Sequence, residues 1–354
     1  MNALAAPLAR ASLAIVALLA AASPARGDDP VRAAPSAAAD PAARLLPGSD
    51  AGEHWDLTAD LDGGYRIFAR FQIRNGILGD RSAAATGAIV APDGHVTEFH
   101  YAKRKDDWKL GSDGLRLDIA SASLDLHPAA PRLAIDSNSH GIKVSVELAQ
   151  RWSHSLFAEQ PSLDLLALEV PAKAKVWLTG MGDPAEIGGT ATLTHSWASE
   201  AETSLVQRRV EILSRSGDVA LYLLDVTTPA GSHHRRLVVE RSGSIVTDAN
   251  DFEIEERPST TADANGGYPL PGGFVIHTNG CNLRVRTGAL LLRSNPLDAV
   301  PLAFRLLLET RTQPQRTWSD AAADIEMTGG TEGQPTQLRA RGIVAIEYFQ
   351  PLQH

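Results

Sequence analysis

Alternation of apolar and polar side chains is the feature of this 354-residue sequence that most limits its fold. Apolar residues occupy every second position from Tyr65 to Ile73 and from Ile142 to Leu148, with mainly polar residues between them. A period of two is typical of half-buried β-strands, because successive side chains point to opposite faces. Turn sequences such as Pro92-Asp93-Gly94 and Ser216-Gly217-Asp218 separate the runs. The pattern predicts an all-β sandwich or barrel.

The first 27 residues have the pattern of a secretory signal peptide. Arg10 precedes an apolar run from Ala11 to Ser23, and small residues follow at Ala25 and Gly27. Such a run is short for a transmembrane helix and typical of a cleaved signal. We therefore expect a periplasmic or secreted protein, with no integral membrane segment after cleavage at about Asp28.

The rest of the chain divides by composition into three parts. Residues 28–52 are rich in alanine and proline, which predicts a flexible leader. The remaining 300 or so residues exceed a usual single barrel, so we expect two β units. We place their boundary near residue 187, which gives an N-terminal unit at 53–187 and a C-terminal unit at 188–354.

Net charge disfavours two classes of partner, and the cysteine count limits the covalent cross-links of the chain. Removal of residues 1–27 takes away Arg10 and Arg26 and no acidic residue, so the formal charge changes from −9 to −11. Such a balance disfavours nucleic acid and anionic membranes as partners. Cys281 is the only cysteine, which excludes an intrachain disulfide and leaves its own role open. No metal-ligand spacing is evident, and we expect no cofactor and no metal. The sequence does not indicate an oligomeric state.

Two predicted strands place polar groups on apolar faces. In the first strand, alternation puts His195 and Trp197 on the same face as Leu193. In the second, it puts Asp225 on one face with Val219, Leu221 and Leu223. A carboxylic acid kept neutral by burial beside an imidazole is a proton donor for an apolar substrate. The alternative is structural: a hydrogen-bonded core histidine and an aspartate at a strand end.

Four stretches carry a resemblance to a known superfamily: 188–197 (GGTATLTHSW), 208–231, Gly267-Tyr268-Pro269 and the terminal strand 342–349. On these stretches the chain resembles the carotenoid 1,2-hydratase (hydroxyneurosporene synthase) superfamily, which also includes secreted lipocalin-like proteins and fungal Diels-Alderases. The resemblance implies two lipocalin-like antiparallel β-barrels in tandem.

The resemblance also implies a site. In the hydratases, a His and a Trp two positions apart and a later Tyr-x-Asp are implicated in protonating and hydrating an isoprenoid double bond. These positions correspond here to His195, Trp197, Leu223 and Asp225. The resemblance thus implies His195, Asp225 and Trp197 as catalytic residues.

The chain departs from the superfamily pattern at three positions. The tyrosine is replaced by Leu223, and the neighbouring Tyr222 points to the opposite face of a regular strand. Ala345 stands where a glutamate is usual, and Phe274 where a tryptophan is common. The missing polar groups bear on hydratase activity more than on the fold.

Two classes of function are compatible with these features. One is an exported lipocalin-like protein that binds a hydrophobic ligand, such as an isoprenoid, carotenoid or other lipid, through Trp197, Tyr222, Leu223 and Tyr268. The other is a cofactor-independent hydro-lyase or isomerase in which Asp225 protonates an alkene. Export and the loss of the tyrosine favour binding, whereas the retention of His195, Trp197 and Asp225 favours chemistry.

Overall fold

The computed structural model describes residues 39–76, 80–149, 154–157, 161–259, 268, 270–299, 314–327 and 336–349. The predicted signal peptide and residues 28–38 of the predicted leader lie outside this part of the chain. The described residues belong to one compact unit, Ser36–His354. None of the helices formed by these residues has the length and apolar character needed to cross a membrane.

The first half of the chain forms a twelve-stranded antiparallel sheet, in which the strands of the main path follow the order β4-β3-β2-β1-β12-β11-β9-β8-β7-β6-β5 and β10 pairs with β11. Its strands are β1 (Gly52–Leu61), β2 (Arg66–Arg74), β3 (Ser82–Val90), β4 (Val96–Lys103), β5 (Lys109–Leu110), β6 (Arg116–Ile119), β7 (Ala122–Asp125), β8 (Arg132–Ser137), β9 (Ile142–Leu148), β10 (His154–Phe157), β11 (Ser162–Leu178) and β12 (Ala185–Ala198). A short 3-10 turn, Asp62–Gly64, joins β1 to β2.

The second half forms a nine-stranded antiparallel sheet in the order β16-β15-β14-β13-β21-β20-β19-β18-β17. Its strands are β13 (Arg208–Ser216), β14 (Val219–Thr227), β15 (His233–Arg241), β16 (Ser244–Ala249), β17 (Glu253–Arg257), β18 (Gly273–His277), β19 (Cys281–Ser294), β20 (Gln315–Met327) and β21 (Thr336–Tyr348). A one-turn helix α1 (Glu202–Leu205) precedes β13, and a 3-10 turn, Pro296–Ala299, follows β19.

Each sheet curls around its own apolar core, as the alternation predicts. Trp55 and Leu57 belong to the core of the first sheet, and Leu221 and Leu223 to that of the second. The two curled half-barrel sheets confirm the predictions of an all-β fold and of two lipocalin-like antiparallel β-barrels in tandem.

The change from one sheet to the other comes later in the chain than predicted. The expected boundary near residue 187 falls inside β12, which pairs with β1 on one side and β11 on the other. The crossing lies between Ala198 and Arg208. Gly189 lies in this strand so close to β1 that a Cβ there would collide with the Asp60 carbonyl oxygen.

Part of the predicted flexible leader lies against the first sheet. Ala39 is buried, and the Ala43 amide donates to the Gly114 carbonyl (2.9 Å). The Trp55 indole donates to the Pro41 carbonyl (3.2 Å). From Ala39 onward these contacts anchor the leader to the first sheet.

The outer faces of the two sheets pack together through two apolar clusters. One joins Phe68 on β2 to Trp318 on β20 and Ile343 on β21. The other joins Leu165 on β11 to Tyr222 on β14. Side chains that face away from each barrel core are thus buried by the neighbouring sheet.

Candidate binding site between the two sheets

Four charged side chains join the two sheets between the apolar clusters, and we call them the interface network: Asp56, Arg70, Arg316 and Glu347. Arg70 donates to both carboxylate oxygens of Asp56 (2.8 and 2.8 Å) and to both of Glu347 (2.8 and 2.9 Å). Arg316 donates to Asp56 Oδ1 (2.9 Å). Asp56 and Arg70 come from the first sheet and Arg316 and Glu347 from the second, so the ion pairs cross the interface.

The arginines keep the two buried carboxylates charged. Burial alone would raise the pKa of Asp56, but the guanidinium groups of Arg316 and Arg70 hold it well below its usual value. Burial likewise opposes ionisation of Glu347, and the same two arginines, Arg70 first, lower its pKa. The network therefore contains two arginines and two ionised carboxylates.

Further buried polar groups extend the network along the interface. Arg209 on β13 donates to His54 Nε2 (3.2 Å) and to Glu202 on α1 (2.6 Å). Burial, followed by the nearby positive charge of Arg70, lowers the pKa of His54 well below its usual value. A neutral imidazole accepts the Arg209 hydrogen bond at Nε2, so its remaining proton is on Nδ1.

Glu211 is a buried carboxyl group of this region that lacks a complete set of hydrogen-bond partners among the described residues. Its Oε1 and the hydroxyl of Tyr222 are buried and have no hydrogen-bond partner within the described part of the chain. Burial raises the pKa of Glu211, and burial together with the Glu211 carboxylate raises that of Tyr222 well above its usual value. The interface therefore favours the neutral form of Glu211 more than water does.

Glu211→Gln should stabilise the protein in a pH-dependent way. A carboxyl whose pKa is raised by folding penalises the folded state once the pH exceeds its unfolded-state pKa, about 4.3. The amide removes this penalty, so the melting temperature of the variant should exceed that of the wild type at pH 8, by about 2–4 °C for each kcal/mol of penalty removed. At pH 4 the two melting temperatures should be equal. Thermal melts at the two pH values test this. An equal shift at both would mean that the charge of Glu211 is not the cause.

A pocket opens between the sheets beside the interface network, and we call it the interface pocket. Counted to its open mouth, it has a volume of about 710 Å³. Its apolar lining includes Phe68, Phe99, Leu292 and Trp318. Its polar lining includes Arg70, Gln72, Thr86, Glu98, His100 and Arg316. The lining thus combines apolar walls with polar groups that can orient a bound small molecule.

Trp318 connects the pocket wall to the network. The Arg316 guanidinium carbon lies 4.6 Å from the centre of its ring, within cation–π distance. Phe68 packs on the same indole at 4.9 Å between ring centres. The indole Nε1 is buried and has no hydrogen-bond partner among the described residues. Arg316 and Phe68 therefore hold the Trp318 ring in the pocket wall from two sides.

His195 and Trp197 lie on the inner face of the first sheet, as the alternation predicts. His195 is fully buried and stacks on Trp55, with 4.4 Å between ring centres and 9° between planes. Its Nε2 lies 3.3 Å from Glu53 Oε2, and its ring centre is 4.9 Å from that of Trp197. The structure therefore brings these two predicted site residues together.

The same group of side chains anchors the leader. Glu53 accepts hydrogen bonds from the backbone amides of Arg44 (2.8 Å) and Leu45 (2.9 Å). The Arg44 guanidinium carbon lies 4.3 Å from the centre of a Trp197 ring. These contacts favour the structural interpretation of His195. Trp197 also lines a smaller polar cleft of about 310 Å³ together with His54 and Glu202.

Asp225 does not join His195 and Trp197. It lies on the inner face of the second sheet, where its Oδ1 is 2.8 Å from His233 Nδ1 and 3.1 Å from Arg235 Nε. The strand face of Asp225 agrees with the sequence analysis, but the two strands belong to different sheets. Asp225 is therefore ion-paired within the second barrel, and the predicted relay between His195 and Asp225 is not formed.

The remaining predicted ligand residues do not all lie on one face of the second sheet. Leu223 is in its apolar core, and Tyr268 stacks on Tyr348 with 4.2 Å between ring centres. Tyr222 faces the other way, towards the first sheet and Glu211. Of these three residues, Tyr222 is the one at the interface. Cys281 is also in the second core, where burial raises the pKa of its thiol to about 11.

Sequence reasoning missed the network and the pocket. Arg70 belongs to the polar half of the alternating run from Tyr65 to Ile73, which predicts a solvated face, and the sequence analysis did not single out Arg316. Ala345 replaces the usual superfamily glutamate, yet Glu347 lies two positions later on the same face and supplies a buried carboxylate. Among the described residues, no three His, Cys, Asp or Glu side chains are grouped so that they can hold a metal ion.

Comparison with known proteins identifies the fold. No family model matches the sequence, and no curated protein sequence matches it significantly. Among solved structures, the Diels-Alderase CghA, determined with Sch210972, matches with a TM-score of 0.65 at 12% identity, over 91% of this chain and 96% of CghA. The fold is that of the lipocalin-like proteins.

Two further lipocalin-like structures agree with this. An AttH-like protein from Nitrosomonas europaea matches with a TM-score of 0.60 at 12% identity, over 84% of this chain and 92% of that protein. Kievitone hydratase from Nectria haematococca matches with a TM-score of 0.55 at 8% identity, over 88% and 93% of the two chains. At these identities the likeness establishes the fold. The superfamily suggested by the sequence motifs is consistent with it.

Proposed function

We propose that this lipocalin-like protein binds a largely apolar small molecule in the interface pocket. The observation that carries the proposal is the pocket itself, in which Trp318 and Leu292 form apolar walls beside the polar groups of Arg70 and Arg316. The pocket is formed by both sheets, which gives the tandem arrangement a direct role in binding.

The names of the fold neighbours support a small-molecule role. CghA was solved with Sch210972, and another neighbour is a kievitone hydratase. We further propose that binding takes place outside the cytoplasm, because residues 1–27 have the pattern of a signal peptide. The mass of the mature protein from its native host tests this, and retention of residues 1–27 would contradict it.

Filling the pocket tests the binding proposal. Thr86 is half-buried on the pocket lining, so Thr86→Trp places an indole in the space that the ligand needs. We expect the affinity for an apolar fluorescent probe such as 1-anilinonaphthalene-8-sulfonate to fall by about tenfold or more. Extraction of the purified wild type followed by mass spectrometry identifies any ligand that copurifies, which the variant should lack.

The matched control is Ser145→Trp, which adds the same indole to β9, on a strand that pairs with β8 and β11 and lies away from the second sheet. Its probe affinity should equal that of the wild type. If Thr86→Trp and Ser145→Trp bind the probe equally well, the interface pocket is not the binding site.

Acid–base conversion of the bound molecule is a second candidate function. The observation that favours it is the presence of Glu98 and His100 on the lining, two positions apart on β4. A carboxylate and an imidazole are the usual proton-transfer groups of enzymes. Once a ligand is identified, its incubation with wild type and with Glu98→Gln distinguishes the two functions. A mass change or an isomer produced by the wild type alone supports conversion.

A further inference from the structure

The interface pocket continues into a second, more open groove on the protein surface. We call it the leucine groove and define it by Val96 on β4 and Leu290, Leu291 and Leu292 on β19. Glu98 and Leu292 line both the pocket and the groove. The pocket and the groove therefore adjoin at these two residues.

An irregular strand produces the apolar surface of the groove. The pairing of β19 with β20 shifts register between Thr287 and Leu290 and again between Leu290 and Leu292. Such bulges interrupt the strict alternation of faces, so successive leucines line one groove. Pairing of β18 with β19 ends at Arg286, which leaves this part of β19 as a strand edge among the described residues.

The two ends of the combined site differ in their side chains. The pocket end has Arg70 and Arg316, whose side chains are 11% and 7% exposed, beside the buried rings of Phe68 and Trp318. The groove end has Leu290, which is 44% exposed. A lipid held with its chain inward would place methylene groups against buried guanidinium groups, which desolvates charges without replacing their hydrogen bonds.

We propose that the ligand is a single-chain amphiphile whose polar end, an acceptor such as a carboxylate, carbonyl or hydroxyl, lies beside Arg70 and Arg316 and whose hydrocarbon chain leaves along the leucine groove. This inference rests on the proposed function of the interface pocket. Arginine donates and does not accept hydrogen bonds, so a polar group beside Arg316 at the pocket end should be an acceptor. The exposed Leu290 favours a hydrocarbon chain at the groove end, because burial of the chain removes apolar surface from water on both partners.

The chain-length dependence of affinity tests the orientation. Hexanoic, decanoic and tetradecanoic acid share one head group and differ in the length of chain that reaches the groove. For the wild type, affinity should rise by up to about fourfold per methylene that becomes buried, including methylenes beyond decanoic acid. 1-Tetradecylamine, which carries a donor instead of an acceptor, should bind about tenfold more weakly or worse than tetradecanoic acid. Displacement of a fluorescent probe measures all four.

Serines in the groove separate this inference from the proposed function. Leu290→Ser with Leu291→Ser should weaken tetradecanoic acid about tenfold or more and leave hexanoic acid unchanged, because the short chain does not leave the pocket. The matched control, Ile245→Ser with Val246→Ser, removes two exposed apolar residues from β16 and should bind every acid as the wild type does. Should the double groove variant fail to fold, Leu290→Ser alone gives the same comparison.

The possible outcomes are distinct. If the groove variant binds tetradecanoic acid like the wild type, the chain does not follow the leucines and the inference is wrong. If it loses only affinity for phosphatidylcholine vesicles, the groove contacts a membrane, which also contradicts the inference. If acids bind but Thr86→Trp does not weaken hexanoic acid, the proposed function of the interface pocket fails.

Discussion

Arg70→Met should lower the free energy of unfolding by about 3–5 kcal/mol, the usual cost of removing one partner from a buried ion pair. Arg70 makes four hydrogen bonds to Asp56 and Glu347, one carboxylate from each sheet. Without it, two buried negative charges face each other with Arg316 as the remaining partner of the network. Urea unfolding at neutral pH measures the loss, and the fitted slope shows whether the transition remains cooperative.

Arg66→Met on the same strand is the control. Arg66 pairs with Asp60 (2.7 Å) and lies 3.6 Å from Asp320 of the second sheet, but these carboxylates are partly exposed. Its loss should cost at most about 1 kcal/mol. Apolar replacement of all four members of the interface network should recover much of the stability lost in Arg70→Met. Equal stability of the two single variants would show that the network does not hold the sheets together.

The same network predicts how acid acts on the protein. The pKa values of Asp56 and Glu347 are lowered in the folded state, against about 4 in an unfolded chain. Their contribution to stability is therefore complete above the unfolded-state values and is lost as the pH falls through the lower folded-state values. The free energy of unfolding of the wild type should decline over this acidic range. That of Arg70→Met should decline less, because the variant lacks part of the ion-pair contribution that acid removes.

Trp55→Ala should also cost about 3–5 kcal/mol, because it removes a fully buried indole from the first core. It also removes the stacking partner of His195 and the donor to the Pro41 carbonyl. Thermal or urea unfolding measures the cost. Ligand binding in the interface pocket should be unchanged at temperatures where the variant is folded, since Trp55 faces the opposite side of the sheet.

Trp108→Ala provides the comparison, because Trp108 is only half-buried and its indole donates to the Arg81 carbonyl at the surface (2.8 Å). Its loss should cost clearly less than that of Trp55. A loss of ligand affinity in folded Trp55→Ala would contradict the structural role assigned to His195 and the side chains that it contacts. The site would then have to include the inner face of the first sheet.

The sequence predicted the local structure well because alternation is a local property. The faces of His195 on β12 and of Asp225 on β14 are those deduced from counting positions. Alternation says nothing about which strands share a sheet, and so it placed two residues of different barrels in one site.

The interface network could not be deduced for a related reason. Arg70 alternates with Ala69 and Phe71 as a solvated arginine would, and only the second sheet makes its position buried. Similarly, Glu347 two positions after Ala345 looks like an ordinary outward-facing residue of a terminal strand. A polar outer face covered by another domain has the same sequence pattern as one covered by water.

Each sheet begins and ends in neighbouring strands, β1 beside β12 and β13 beside β21. A half whose two chain ends emerge side by side can be duplicated, inserted into another gene or joined in tandem without rethreading its strands. Two of those terminal strands also provide Asp56 and Glu347, which form ion pairs with arginines of the other sheet. The strands that close each half therefore also carry contacts between the halves.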